Sequence, residues 1–168
     1  TPSSPAPLHL NSALALIDRT AFLACRPEHY ATTIAVMALT PDWIAVDWGT
    51  SNLRAWAMGP SGVLASASSD EGMGKLSKAE FEPALLRVIA SWLGAASMPV
   101  IACGMVGARQ GWMEAPYRRT PCAPVASGEL MAVPTRDPRL RMMIAPGLCQ
   151  TKPADVMRGE ETQIAGAL

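Results

Sequence analysis

An acid, a glycine and three small polar residues stand together at Asp47-Trp48-Gly49-Thr50-Ser51-Asn52. Asp47 follows Ile44-Ala45-Val46, which has the make-up of a strand covered on both faces. A carboxylate at the mouth of such a sheet can hold a hydrated Mg²⁺ through one oxygen. Gly49 lets the backbone approach a ligand closely. Successive N–H groups in such a turn can form an anion-binding concavity, to which the hydroxyls of Thr50 and Ser51 add donors. The chemistry open to this set is the grip of a metal-bound phosphate. The same residue types also build ordinary turns, so on local spacing alone a plain hairpin between two strands is the competing reading.

The rest of the chain bears on that choice. Val46-Asp47-Trp48-Gly49-Thr50-Ser51-Asn52-Leu53-Arg54 resembles the first phosphate-binding hairpin of the actin-like ATPase and sugar-kinase superfamily. Gly104-Met105-Val106-Gly107, Gly111-Trp112, Ala115-Pro116-Tyr117, Pro146-Gly147-Leu148 and Met157-Arg158-Gly159-Glu160-Glu161-Thr162-Gln163 follow. In that order, over roughly Asp42 to Leu168, the set resembles the 2-dehydro-3-deoxygalactonokinase family, which phosphorylates 2-keto-3-deoxygalactonate. The resemblance implies ATP and Mg²⁺ as cofactors. It implies transfer of the γ-phosphate to the C6 hydroxyl of the sugar acid, in galactonate breakdown in the cytoplasm.

Phosphoryl transfer needs a metal, phosphate donors and a base beside the accepting hydroxyl. Under the resemblance, Asp47 is the metal ligand, and Gly49, Thr50, Ser51 and Asn52 receive the phosphates. Arg54 either stabilises charge on the γ-phosphate or is simply an exposed strand arginine. In related sugar kinases a Gly-acid pair opens a helix at the domain boundary, and the acid accepts the substrate proton. Glu160 stands in that position after Gly159, with Glu161 as the second candidate. Many relatives carry Asp there, one methylene shorter. The competing reading is that both glutamates favour the positive end of a helix dipole. Gly104, Met105 and Val106 lie at a strand's carboxyl end, where open α/β sheets bind ligands. Arg109, Trp112, Tyr117 and Arg118 are the side-chain candidates for the substrate. Arginine suits a carboxylate because its fork binds both oxygens. Core packing for Trp112 and surface solvation for Arg118 are the alternatives.

These residues need a scaffold that brings Asp47 and Glu160, more than a hundred positions apart, to one cleft. The pattern predicts a first strand ending at Asp47, then strands over Leu53–Met58 and Val63–Ser68. Ser77-Lys78-Ala79-Glu80 has capping-box form and opens a helix carrying Phe81, Leu85, Val88 and Trp92, with Gly94 as its stop. A fourth strand over Met98–Cys103 runs parallel to the first. Residues 108–134 read as loops with a short helix around Ser127–Met131. A fifth strand covers Leu140–Ala145 and ends at Pro146-Gly147, followed by a loop at 152–155 and a helix from about Arg158 to Leu168. This is an α/β class: a ribonuclease H-like (actin-like ATPase) half-domain, a mixed sheet of about five strands with three antiparallel strands first. The assignment rests on element order and on analogy at the level of fold.

Bulk properties set limits. A chain of 168 residues suits one domain, and 49% apolar residues is ordinary for a globular protein. Zero formal net charge gives no general attraction to nucleic acid or to an anionic membrane. The four cysteines, Cys25, Cys103, Cys122 and Cys149, lack paired metal spacing. Cys103 and Cys149 read as small buried hydrophobes, which fits a reducing compartment. No apolar run approaches the ~20 residues needed to span a bilayer. Residues 1–40 read as a poorly ordered N-terminal extension, with low complexity over Thr1–Pro7, a short helix within Leu8–Ala24, and Met37 near the expected natural start. Residues 41–168 then form the N-terminal kinase lobe. In the family a second lobe supplies most of the adenosine site, so it is expected from sequence beyond Leu168, and this chain alone is expected to turn over weakly or not at all. The expected partners are a small sugar acid and ATP, not nucleic acid or membrane. Two other classes stay open: a ribonuclease H-like nuclease using Asp47, Asp70 and Glu160 around two metals, and a non-catalytic sugar-acid or nucleotide-binding module.

Overall fold

The structure is a computed structural model and describes residues 40–167. The extension, its short helix, Met37 and Cys25 lie outside the described residues. Three strands come first: β1 (Trp43–Trp48), β2 (Leu53–Gly59) and β3 (Gly62–Ser69). Each pairs antiparallel with the next. β4 (Met98–Cys103) then lies parallel beside β1, and β7 (Leu140–Ile144) parallel beside β4. The two-residue β6 (Met131–Ala132) closes the edge, so the sheet runs β3-β2-β1-β4-β7-β6. Apart from that extra edge strand, this is the order expected of a ribonuclease H-like half-domain.

The pleat divides β1 between two faces. Ile44, Val46 and Trp48 join one cluster with Phe81, Leu85 and Ile89 of α1 (Phe81–Ile89). Trp43 and Ala45 join a smaller cluster with Met58 and Ile101 on the other face. Phe81, Leu85 and Ile89 are spaced four apart and fully buried, so α1 presents one apolar stripe to the sheet. Each such side chain contributes about 1.5–3 kcal/mol of burial. Half of the expected capping box forms: the Glu80 carboxylate accepts the Ser77 N–H at 2.7 Å, while no side-chain bond caps the helix in return. After α1, a 3-10 turn over Ala90–Trp92 ends the helix just before Gly94.

The second half departs from expectation. β5 (Tyr117–Arg119), β8 (Gly147–Thr151) and β9 (Ala154–Met157) form a separate three-stranded sheet. Pro146-Gly147 does end β7 as expected, but Gly147 at once begins β8 of the other sheet; of the expected loop at 152–155, residues 152–153 are the turn and Ala154 and Asp155 already belong to β9. The period-2 signal was weak there because β9 is short and exposed along most of its length. The expected helix near Ser127–Met131 is a 3-10 turn over Ser127–Glu129 leading into β6. Cys149 is half-buried rather than buried, whereas Cys103 is buried as expected. The last helix, α2 (Glu160–Ala167), starts directly after Gly159. Among the described residues no helix is long and apolar enough to cross a membrane.

Candidate active site

Asp47 alternates with Val46 and Trp48, so it leaves β1 on the face away from α1. Its cross-strand neighbours are Arg54 on β2 and Cys103 on β4. The Arg54 guanidinium lies 3.7 Å from the Asp47 carboxylate and is half exposed. Beside Asp47, β4 runs into Gly104 at φ 90°, ψ −159°, a backbone state that side chains disfavour. A Cβ on Gly104 would stand 2.8 Å from the Trp48 carbonyl oxygen and 3.4 Å from Asp47 Oδ1. Gly159, at φ 110°, meets it from the other side: a Cβ there would lie 3.2 Å from Gly104 Cα. Two bare stretches of backbone thus touch next to Asp47 and deliver the first turn of α2 to it. Burial holds the Asp47 carboxyl above its usual range, Arg54 opposes the shift, and the negative charge of Glu160 adds to it. The two acids share one electrostatic neighbourhood despite their distance along the chain.

The adjacent glutamates are placed differently. Glu160 is exposed, and its carboxylate accepts the Arg158 N–H at 2.9 Å. Glu161 is fully buried; its Oε2 accepts the Gly159 N–H at 2.6 Å, and its Oε1 has no partner among the described residues. Burial raises the Glu161 carboxyl above its usual range. Thr162 donates to the Gly159 carbonyl at 2.6 Å and reaches the Cys103 sulfur at 3.5 Å, which ties α2 to the end of β4. Burial pushes the Cys103 thiol well up, so it is an inert packing group.

At the hairpin tip, Gly49 donates to the Asn52 carbonyl at 3.0 Å, closing the turn. Thr50, Ser51 and Asn52 are exposed. Among the described residues their N–H groups have no backbone partner.

The substrate candidates scatter more. Gly104 to Gly107 form a tight 3-10 turn at the mouth of β4, with Val106 buried and Met105 half-buried. Arg109 is exposed. Trp112 stacks on Phe81 at 6.1 Å and meets Trp48 edge-on at 6.2 Å. It belongs to the α1-side cluster, away from the face that carries Asp47. Arg118 donates to the Ala123 carbonyl at 2.6 Å and pairs with Glu129, so its fork is already engaged. Tyr117 is exposed, and Arg158 lies over its ring at 4.2 Å.

Arg158 was not singled out by residue type or spacing. Nearly buried, it donates to the Ala115 carbonyl at 2.8 Å and to the Tyr117 hydroxyl at 3.3 Å. Its Nη1 has no partner among the described residues and presses on Gly107, where a Cβ would come within 2.7 Å. Arg158 therefore joins the small sheet, the Gly107 turn and the start of α2. Its signal in the sequence was a lone cation directly before the Gly-acid pair. The three-acid nuclease set does not assemble: Asp70 is turned to solvent on Lys75 at 2.9 Å, and among the described residues no three metal-binding side chains gather.

A sheet of three antiparallel strands continued by parallel β4 and β7, with an acid at the β1 tip and a second acid brought to it by a late helix, defines a ribonuclease H-like half-domain of the sugar-kinase kind. The sequence pattern of the 2-keto-3-deoxy-galactonokinase family matches residues 47–168. The chain belongs to that family. It is 46% identical over 129 residues to a relative from Rhizobium meliloti (strain 1021) named as a 2-dehydro-3-deoxygalactonokinase, covering 74% of this chain and 42% of the relative. It is 37% identical over 131 residues to 2-dehydro-3-deoxygalactonokinase of Escherichia coli (strain K12), covering 77% and 43%. A crystal structure from Sinorhizobium meliloti, titled as a protein of the same kind, superposes with a TM-score of 0.66 at 45% identity, over 74% of this chain and 41% of that one. The chain thus spans about two-fifths of the length of the relatives it matches.

Proposed function

We propose that this chain carries the phosphate-gripping and proton-accepting part of a 2-keto-3-deoxygalactonate kinase. The observation that supports this most is the meeting of Asp47 and the start of α2 over the bare Gly104–Gly159 contact. In this reading the N–H groups of Thr50, Ser51 and Asn52, with the two hydroxyls, grip the phosphates of ATP, and Gly49 lets them approach. Arg54 adds positive charge at the γ-phosphate. Asp47 fits a hydrated Mg²⁺: among the described residues it is the one carboxylate set into the six-stranded sheet, under the negative field of Glu160, and Mg²⁺ would fill its other positions with water and phosphate oxygens. The ion would neutralise phosphate charge there.

The sugar acid would lie between the Gly104–Gly107 turn and Glu160. The N–H groups of Met105 and Val106, without a backbone partner among the described residues, and the exposed Arg109 suit its carboxylate and keto oxygen. Glu160 removes the proton from the C6 hydroxyl as that oxygen bonds to the γ-phosphorus, and the bond to the ADP oxygen breaks. Exposure and its electrostatic coupling to Asp47 favour Glu160 over Glu161 for this step. Glu161, buried and bonded to the Gly159 N–H, sets the turn from which Glu160 projects. The packed Trp112 and the engaged Arg118 take no direct part. The reaction would serve galactonate breakdown in the cytoplasm.

The test is a resonance-by-resonance titration of the ¹⁵N-labelled chain with Mg·ATP and, separately, with 2-keto-3-deoxygalactonate. Saturable shifts are expected at residues 49–54 for the first ligand and at 104–109 for the second. Binding of either ligand elsewhere, or of neither, overturns the reading.

A further inference from the structure

A partly buried loop, with Gly72 and Met73 buried and Gly74 exposed, lies directly under the hairpin. Between β3 and α1 the chain runs through Glu71-Gly72-Met73-Gly74. Gly72 donates to the Ser51 carbonyl at 3.2 Å, Met73 to the Gly49 carbonyl at 2.9 Å, and Gly74 to the Thr50 carbonyl at 2.9 Å. Three consecutive carbonyls of the hairpin tip therefore point into this loop. A trans peptide unit is planar, and its C=O and N–H point in opposite directions. Fixing the carbonyls of residues 49, 50 and 51 therefore turns the N–H groups of Thr50, Ser51 and Asn52 the other way, outward from the loop. Those are the three groups left without a backbone partner.

The loop is itself anchored. The Trp48 indole N–H donates to the Glu71 carbonyl at 2.9 Å, and the Glu71 carboxylate is held by Arg87 of α1, whose Nε lies 3.2 Å away. The contact leaves no room for a side chain. A Cβ on Gly72 would fall 2.2 Å from the Ser51 carbonyl carbon and 2.3 Å from the Thr50 oxygen, both main-chain atoms. At Gly74 the nearest contacts would be looser, 3.2 Å to Thr50.

We propose that the Glu71–Gly74 loop is the positioning element of the phosphate hairpin, with Gly72 the residue that lets it seat closely enough to aim three N–H groups at one anion. The inference rests on the phosphate assignment above and extends it to residues that touch no ligand. It concerns orientation: the loop contributes no ligand atom, and it sets where the donors of its neighbour point.

The experiment compares the 168-residue chain with Gly72→Ala, Gly74→Ala and Gly94→Ala, the last at an exposed position with nothing within 4 Å. Two quantities are read by ¹⁵N NMR: the ligand-free amide resonances of residues 49–53, and the affinity for Mg·ATP. Gly72→Ala is expected to move those resonances and weaken Mg·ATP by about tenfold, the loss of roughly one charge-assisted hydrogen bond. Gly74→Ala is expected to do both to a smaller extent, and Gly94→Ala neither. Should Gly72→Ala fail to fold, the milder Gly74→Ala decides. Unmoved resonances overturn the proposal, and so does an affinity equal to that of the parent chain when the resonances have moved. A parent chain whose hairpin ignores Mg·ATP sinks the phosphate assignment itself, a distinct result in which this inference falls with it.

Discussion

Replacing Gly104 by alanine tests whether the glycine contact is what brings the two acids together. Two costs can be worked out. Holding an alanine at φ 90°, ψ −159° costs about 1–3 kcal/mol. Its Cβ would also stand 2.8 Å from the Trp48 oxygen. That oxygen belongs to β1 and cannot swing aside like a side-chain tip, so the backbone must yield, and overpacking of this kind costs about 1–3 kcal/mol. The sum, about 2–6 kcal/mol, is a large share of the 5–15 kcal/mol typical of a domain. The same yielding of the backbone at Trp48 and Gly104 shifts the chain next to Asp47 and its contact with Gly159, and so the placement of Glu160 relative to Asp47. A misplacement of about 1 Å costs on the order of 10² in rate. Urea unfolding followed by tryptophan emission gives the first quantity, and phosphoryl transfer to the sugar acid by the protein extended through its expected second lobe gives the second. Gly94→Ala is the control. A loss of stability under about 0.5 kcal/mol, within the range of neutral surface changes, would refute the reasoning, because the strained backbone would then not exist.

Other outcomes follow from the same geometry. On the proposed roles, and in the protein extended through its expected second lobe, Glu160→Gln should lower phosphoryl transfer by about 10²–10⁴-fold with the melting curve unchanged, since that side chain is exposed; equal turnover in a coupled ADP assay would transfer the base role elsewhere. Asp47→Asn should abolish transfer and yet stabilise the chain at neutral pH. Burial raises the Asp47 carboxyl, so between the ordinary aspartate range and the raised value the folded state binds a proton that the unfolded state has lost. Stability from this group therefore falls as pH climbs from the ordinary aspartate range through the raised value, and thermal melts across pH should show that slope flattened in the variant. Phe81→Ala should cost about 3–5 kcal/mol in a urea titration, since it empties a fully buried site between Trp48 and Trp112.

The first half of the chain was legible because its signals are local and strong. The apolar run before Asp47, the alternation after Leu53 and the four-residue spacing of Phe81, Leu85 and Ile89 each answer to one period and one burial face. The nearness of β4's carboxyl end to Asp47 followed from element order, because a parallel β4 must deliver that end beside β1's, whereas bringing α2 there was implied only by the family resemblance. What stayed hidden has weak periodicity or depends on tertiary contact. β5, β8 and β9 are short and flanked by prolines, so they read as loops. Trp112 offered an aromatic ring to either a sugar or a core, and only packing against Phe81 decided between them. Arg118 looked free in one dimension and is engaged by Glu129 in three. The importance of Gly72 could not be read at all, because its constraint is a main-chain neighbour some twenty positions earlier.

The separation between the hairpin and α2 also orders events during synthesis. β1, β2 and β3 are consecutive hairpin partners, so the tip at residues 49–52 and its supporting loop can form before residues 76–160 have been made. Glu160 emerges near the end of this stretch. A nascent chain would thus display outward amides well before α2 and its glutamates exist. On the proposed roles, the part that grips an anion is made before the part that accepts a proton.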